Sequence, residues 1–141
     1  MSAPSAEGEP VVAASVVSLK VCHPGSPDVV PSFRHAAVDF AASHGADADL
    51  CHDVALAVSE AVTNAVKHAD ARPDETVSMT ASVVDDWLEI RVLDRGAGFG
   101  NPASDGLGLG LSIIARLSAH LTISQEGRGT ELVMRFPLPR R

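Results

Sequence analysis

The chain has 141 residues, 45% hydrophobic and 21% charged, a composition that excludes disorder and allows a single domain around one core. Its net charge is −7 and its basic residues are scattered, so no phosphate-backbone footprint is present and nucleic acid is excluded as a partner. Cys22 and Cys51 lack the spacing of a zinc site or disulfide framework; with a polar, acidic amino terminus and no apolar run of about 20 residues, the sequence predicts a cytoplasmic protein without membrane contact.

In chain order, residues 1–10 read as a disordered tail and residues 11–139 as one folded domain. "VVAASVVSLKV" (11–21) is β-branched and reads as a first strand, and "CHPGSPD" as a loop. Asp28 is placed to cap a first helix with apolar residues at Val30, Phe33, Ala37 and Phe40, and Gly45 stops it. Asp47 or Asp49 caps a second helix, which runs to about Ala69 and is broken by "DARPDE". Residues 76–84 and 87–94 alternate apolar and polar across "DD", predicting an antiparallel hairpin that Trp87 anchors against the sheet. A glycine-rich loop (95–110), a third helix (111–120) and a second hairpin (121–138) turning at "EGRG" complete the chain.

The order β, α, α, β, β, α, β, β sets strands in adjacent hairpins, so a nucleotide-binding βαβ unit does not fit. The expected fold is α+β: a two-layer α/β sandwich with three main helices on one face of a mostly antiparallel, mixed sheet.

Within the second helix, "SEAVTNAVKHA" (59–69) sets Glu60, Asn64 and His68 at four-residue intervals. At about 100° per residue, Val54, Val58, Ala61, Val62 and Ala65 form a core stripe and the polar trio falls on the adjoining arc. Solubilisation of a helix edge accounts for Glu60, and His68 could cap the last turn. Asn64 fits that account badly, because asparagine is a poor helix-interior residue, and its position beside the core stripe suggests a demand for its oxygen.

Two glycine clusters follow. In "LDRGAGFG" (93–100) a strand ends at Asp94, with Gly96, Gly98 and Gly100 behind it. This is either a common turn or a pocket in which Asp94 accepts a hydrogen bond while Gly96 and Gly98 let the backbone approach a flat ligand. In "DGLGLGLSII" (105–114), Gly106, Gly108 and Gly110 lead into a helix, an arrangement that favours anions. It is not a P-loop, which requires Gly-Lys-Ser/Thr, nor a dinucleotide fingerprint, which requires glycine where Leu111 stands. "GRGTEL" (127–132) is weak alone.

The four segments in this order resemble the N, G1, G2 and G3 boxes of the Bergerat-fold (GHKL) ATPases and kinases, over roughly residues 15–138. The wording of the first segment and the chain's size are most similar to the anti-sigma factor serine/threonine kinases. The resemblance implies ATP and Mg²⁺ as cofactors, with Asn64 holding the metal and Glu60 as general base toward a protein hydroxyl. It implies that Asp94 binds the adenine amino group, that Gly96 and Gly98 shape the adenine pocket, and that Gly106, Gly108 and Gly110 admit the phosphates. Thr130 supports the adenine side and His68 contacts the phosphate end. A sigma factor and an anti-sigma factor antagonist are the implied protein partners, and a homodimer the implied assembly.

The chain departs from that pattern in two ways. The segment "NPASD" between the second and third boxes is short, implying a small lid over ATP, and Gly106 and Leu107 stand where relatives carry a basic residue that reaches the γ-phosphate. Arg95 and Arg116 are the candidates to replace it. A serine kinase is therefore weighed against a nucleotide-binding module that sequesters a partner without transfer. A histidine kinase catalytic half ranks lower, since no long dimerisation helix with a phospho-accepting histidine occurs in the sequence.

Overall fold

A computed structural model describes residues 17–69, 76–94, 107–126 and 129–139. Strand β1 (Val17–Pro24) leads through a 3-10 turn (Pro27–Val29) into helix α1 (Val30–Ser43) and then helix α2 (Ala48–Ala69). The hairpin of β2 (Thr76–Val84) and β3 (Trp87–Asp94), helix α3 (Leu107–Leu117), and the hairpin of β4 (His120–Glu126) and β5 (Gly129–Pro137) follow.

Local chemistry sets most boundaries. The Asp47 carboxylate accepts a 2.8 Å hydrogen bond from the Leu50 N–H, so Asp47 caps α2. Gly45, at φ 100°, ends α1 in a Schellman arrangement, with the Ala46 N–H donating to the Ala41 carbonyl at 3.0 Å. Several expectations need correction. Asp28 does not cap α1: it lies inside the 3-10 turn, where the Ser26 hydroxyl donates to it and lowers its pKa. The residue before α1 is Val29, without a side-chain cap, and Pro31 in the first turn has no N–H to satisfy.

Strand β1 takes in Cys22, His23 and Pro24 of the expected loop, because these residues pair with Ser78, Val77 and Thr76. Helix α3 starts at Leu107, so Gly108 and Gly110 lie in its first turn rather than ahead of it. Leu111 and Ile114 pack this helix into the core, which outweighs a glycine cost of about 1 kcal/mol each. The tail, residues 1–10, and most of the first glycine cluster lie outside the described residues.

The strands form one sheet in the order β1-β2-β3-β5-β4. All four pairings are antiparallel, so the sheet is antiparallel throughout rather than mixed. The reason lies in the β3–α3–β4 crossover: β4 runs parallel to β3, but β5 inserts between them and no parallel pair forms.

Alternation along each strand divides the sheet into two faces. Val77, Met79 and Ala81 of β2, Leu88, Ile90 and Val92 of β3, and Leu132, Met134 and Phe136 of β5 face the helices and are buried. Phe33 and Phe40 of α1, Val58 and Val62 of α2 and Ile114 of α3 complete the same cluster, giving the expected two-layer sandwich. On the outer face Arg91 bridges Glu89 and Glu131 at 3.3 Å, and Arg135 reaches Glu89 at 3.0 Å. Trp87 lies on this outer face, with the Arg135 guanidinium 5.9 Å and the His120 ring 5.3 Å from its centroid. No described helix is long and apolar enough to cross a membrane.

The β2–β3 turn holds Asp85 at φ 56°, a left-handed conformation that a short polar side chain tolerates and a β-branched one does not. Asp85→Val should destabilise the fold by about 1–2 kcal/mol, whereas Asp85→Gly should hold stability near wild type, as read by urea unfolding.

Candidate functional site

The inward phase of β3 runs Leu88, Ile90, Val92, Asp94, so a carboxylate occupies a core-facing position at the strand's end. The inward phase of β5 begins at Thr130, and register pairs Asp94 directly with Thr130 and Val92 with Leu132. Across from them, α2 presents Ala61, Asn64 and Ala65. These seven residues line one small cavity between α2 and the ends of β3 and β5.

Polar groups converge there against the rule that buried positions are apolar. Asn64, Asp94 and Thr130 are 7%, 3% and 3% exposed. The fourth buried polar residue among those described, Ser118, is accounted for locally, since its hydroxyl donates to the Ile114 carbonyl at 2.8 Å. Two atoms at the cavity are not accounted for: Asn64 Nδ2 and Thr130 Oγ1 are buried and have no hydrogen-bond partner. Leaving such groups unpaired costs about 1–3 kcal/mol each, a cost that an apolar residue in either position would remove. The cavity measures about 10 Å³, room for about one water, and its walls carry the polar groups that one requires.

The other sequence-predicted residues fall as follows. Glu60 is half-buried on α2, one turn before Asn64, and does not line the cavity. His68 is in the last turn of α2, with its side chain outside the described residues, as are Gly96, Gly98 and Gly106 altogether. Gly108 and Gly110 lie in the first turn of α3, and the N–H of Gly108 is among those that have no intrahelical acceptor. The cavity's apolar walls, Val92 and Leu132, were not singled out in the sequence; their signal is the two-residue step from Asp94 and Thr130, visible only once β3 and β5 are paired.

Comparisons with known proteins bear on the family and the fold. Residues 23–136 match the histidine kinase-like ATPase domain, and the chain belongs to that ATP-binding family. Among its relatives, the anti-sigma F factor of Clostridium beijerinckii is 30% identical over 116 residues, covering 72% of this chain and 81% of that protein. The serine-protein kinase RsbW of Bacillus licheniformis is 38% identical over 89 residues, covering 62% of this chain and 54% of the kinase, so this match spans about half of the kinase's length. Among solved structures, the SiaB–SiaC complex from Pseudomonas aeruginosa aligns with a TM-score of 0.70 at 16% identity, covering 94% of this chain and 96% of the other. The RsbU and RsbW domains of a Mycobacterium tuberculosis protein align at 0.69 and 24% identity, covering 89% of this chain and 33% of that one. Both structural likenesses are likenesses of fold.

Proposed function

We propose that the protein is an ATP-dependent serine/threonine kinase of the anti-sigma type, which binds a sigma factor and phosphorylates an anti-sigma factor antagonist in the cytoplasm. The observation that carries the nucleotide site is the convergence of Asn64, Asp94 and Thr130 on one cavity, with two of their polar atoms buried and unpartnered. The names and coverage of the anti-sigma F factor and RsbW relatives support the rest.

In this reading Asp94 accepts from the adenine amino group, and Thr130, its cross-strand partner, reaches the base through a single water in the cavity. The N–H groups at the start of α3, with Gly108 and Gly110 leaving no side chain in the way, receive the phosphates. Gly96, Gly98 and Gly106 border the base and phosphates, and His68 stands at the phosphate end.

The residues present fit a magnesium ion. Mg²⁺ is a hard cation that takes oxygen ligands, needs few of them from protein, and neutralises phosphate charge when bound with ATP. The Asn64 side chain, buried at the cavity, offers an amide oxygen to such an ion. Glu60, one helical turn away, takes the proton from the acceptor hydroxyl as that oxygen bonds to the γ-phosphorus and ADP leaves with the electron pair. A homodimer belongs to the same reading, as the resemblance implies.

Calorimetric titration with ATP, with and without Mg²⁺, tests the site on wild type and Asp94→Asn. Wild type should bind in a Mg²⁺-dependent manner, and the variant at least about tenfold more weakly, the worth of a hydrogen bond to a charged acceptor. Equal affinities would remove Asp94 from the adenine contact, and no binding by wild type would remove ATP from the reading.

A further inference from the structure

The end of the sandwich remote from the nucleotide cavity carries a second cleft, of about 520 Å³. It lies where the end of α1, at Ser43 and His44, meets the β2–β3 turn and the Leu138–Pro139 segment that follows β5. The Leu138 N–H donates to the Asp86 carbonyl at 2.7 Å, which ties that segment to the turn. Strand β3 leads from this turn to Asp94, and its eight residues set the two sites roughly 25 Å apart.

The polar chemistry of this cleft is one-sided. Asp85 and Asp86 contribute carboxylates, which only accept hydrogen bonds when ionised. The His44 Nδ1 lies 2.9 Å from the Phe40 carbonyl, itself an acceptor, so Nδ1 carries the proton and the neutral ring keeps Nε2 as an acceptor. The Ser43 hydroxyl spends its proton on the same carbonyl, at 2.8 Å. Among the described residues no Lys or Arg lines the cleft, and the last turn of α1 has no basic side chain to offset the negative end of its dipole. The outer sheet face differs, since Arg91 and Arg135 hold Glu89 and Glu131 there.

Apolar surface adjoins the acceptors, because Val83, Leu138 and Pro139 supply the rest of the lining. Carboxylates beside aliphatic carbon fit a donor-rich cation on an apolar stem, which describes the side chains of Arg and Lys. The volume is too large for a single ion and falls in the range of about 300–1,000 Å³ that takes larger ligands. We infer that this cleft docks a protein partner through a segment in which Arg or Lys adjoins aliphatic residues. A partner held there leaves the nucleotide cavity open, so the two are bound independently. The inference does not rest on the kinase reading.

The test pans a phage-displayed library of random dodecapeptides on the full chain at physiological ionic strength. Selected peptides should combine Arg or Lys with aliphatic residues. They should bind Ser43→Arg at least about tenfold more weakly, since a cation placed at the cleft opposes a basic ligand, and Asp85→Asn about threefold more weakly, the worth of an exposed ion pair. Both variants should keep the wild-type unfolding midpoint: Ser43 and Asp85 are exposed, a helix C-terminus favours Arg, and Asn tolerates φ 56° at position 85. The chain's net charge of −7 attracts cations in general, so Asp39→Asn, an exposed acid that does not line the cleft, is the control and should bind like wild type. No enrichment, enrichment of acidic peptides, unchanged binding to Ser43→Arg, or an equal loss in Asp39→Asn overturns the inference. Binding that appears only once Arg140 and Arg141 are removed would make this chain's own arginines the occupant, and overturns it too. Failure of the kinase reading registers separately, as absence of ATP binding by wild type in calorimetry, with peptide selection unaffected.

Discussion

Asn64→Ala is expected to abolish Mg²⁺-dependent ATP binding while leaving the fold at least as stable as wild type. The two effects have opposite signs because one side chain serves the ligand at the expense of the empty protein. Asn64 is 7% exposed and its Nδ2 lacks a partner, so the folded state without ligand carries a desolvation penalty of about 1–3 kcal/mol. Alanine removes that penalty and is a better helix former by several tenths of a kcal/mol. Against this stands a small loss of packing, so a net gain of about 1 kcal/mol in urea unfolding is the expected result. Removal of the amide oxygen takes away the protein's ligand to the metal, and affinity for ATP in the presence of Mg²⁺ should fall roughly 100-fold or more, toward the metal-free value. A variant that is less stable and binds ATP normally would make Asn64 a structural residue.

The same residue marks how much could be read without coordinates. Asn64 stood out because asparagine is costly inside a helix, a local property that needs no knowledge of neighbours. Strands β2 and β3 fall on the expected bounds for an equally local reason: strict alternation on both sides of a two-residue turn fixes register and length together. The pairing of Asp94 with Thr130 has no such local signature. It joins β3 to a strand that follows only after α3 and β4, and nothing in either segment names the other. Only the order of the four boxes, through a resemblance, linked them in advance.

The misplaced elements have the same origin. The expected first strand ended too early because "CHP" has little strand propensity, whereas pairing with β2 carries β1 to Pro24. Glycines before "LSII" read as a loop, and α3 begins among them because Leu111 and Ile114 commit the helix to the core.

Glu60→Gln should leave ATP binding intact and reduce phosphoryl transfer to a recombinant anti-sigma factor antagonist by about 10²–10⁴-fold, the range for loss of a positioned general base. Glutamine keeps the length and the accepting oxygen of glutamate, so a purely structural Glu60 would tolerate it. The sign of the effect on affinity is also fixed. Removing one negative charge near a polyphosphate reduces repulsion, so ATP should bind as tightly as to wild type or slightly more tightly. Single-turnover transfer with calorimetry on the same preparations measures both. The combination separates the two functional readings, because a nucleotide-dependent sequestering module would bind ATP equally in both forms and transfer phosphate in neither. Gly106 and Leu107, standing where the resemblance implies a basic residue, weigh toward that module. Glu60 weighs toward the kinase, since a module that only binds nucleotide has no use for a half-buried carboxylate one turn from Asn64. Transfer by wild type that falls in Glu60→Gln while affinity holds would assign the carboxylate to chemistry.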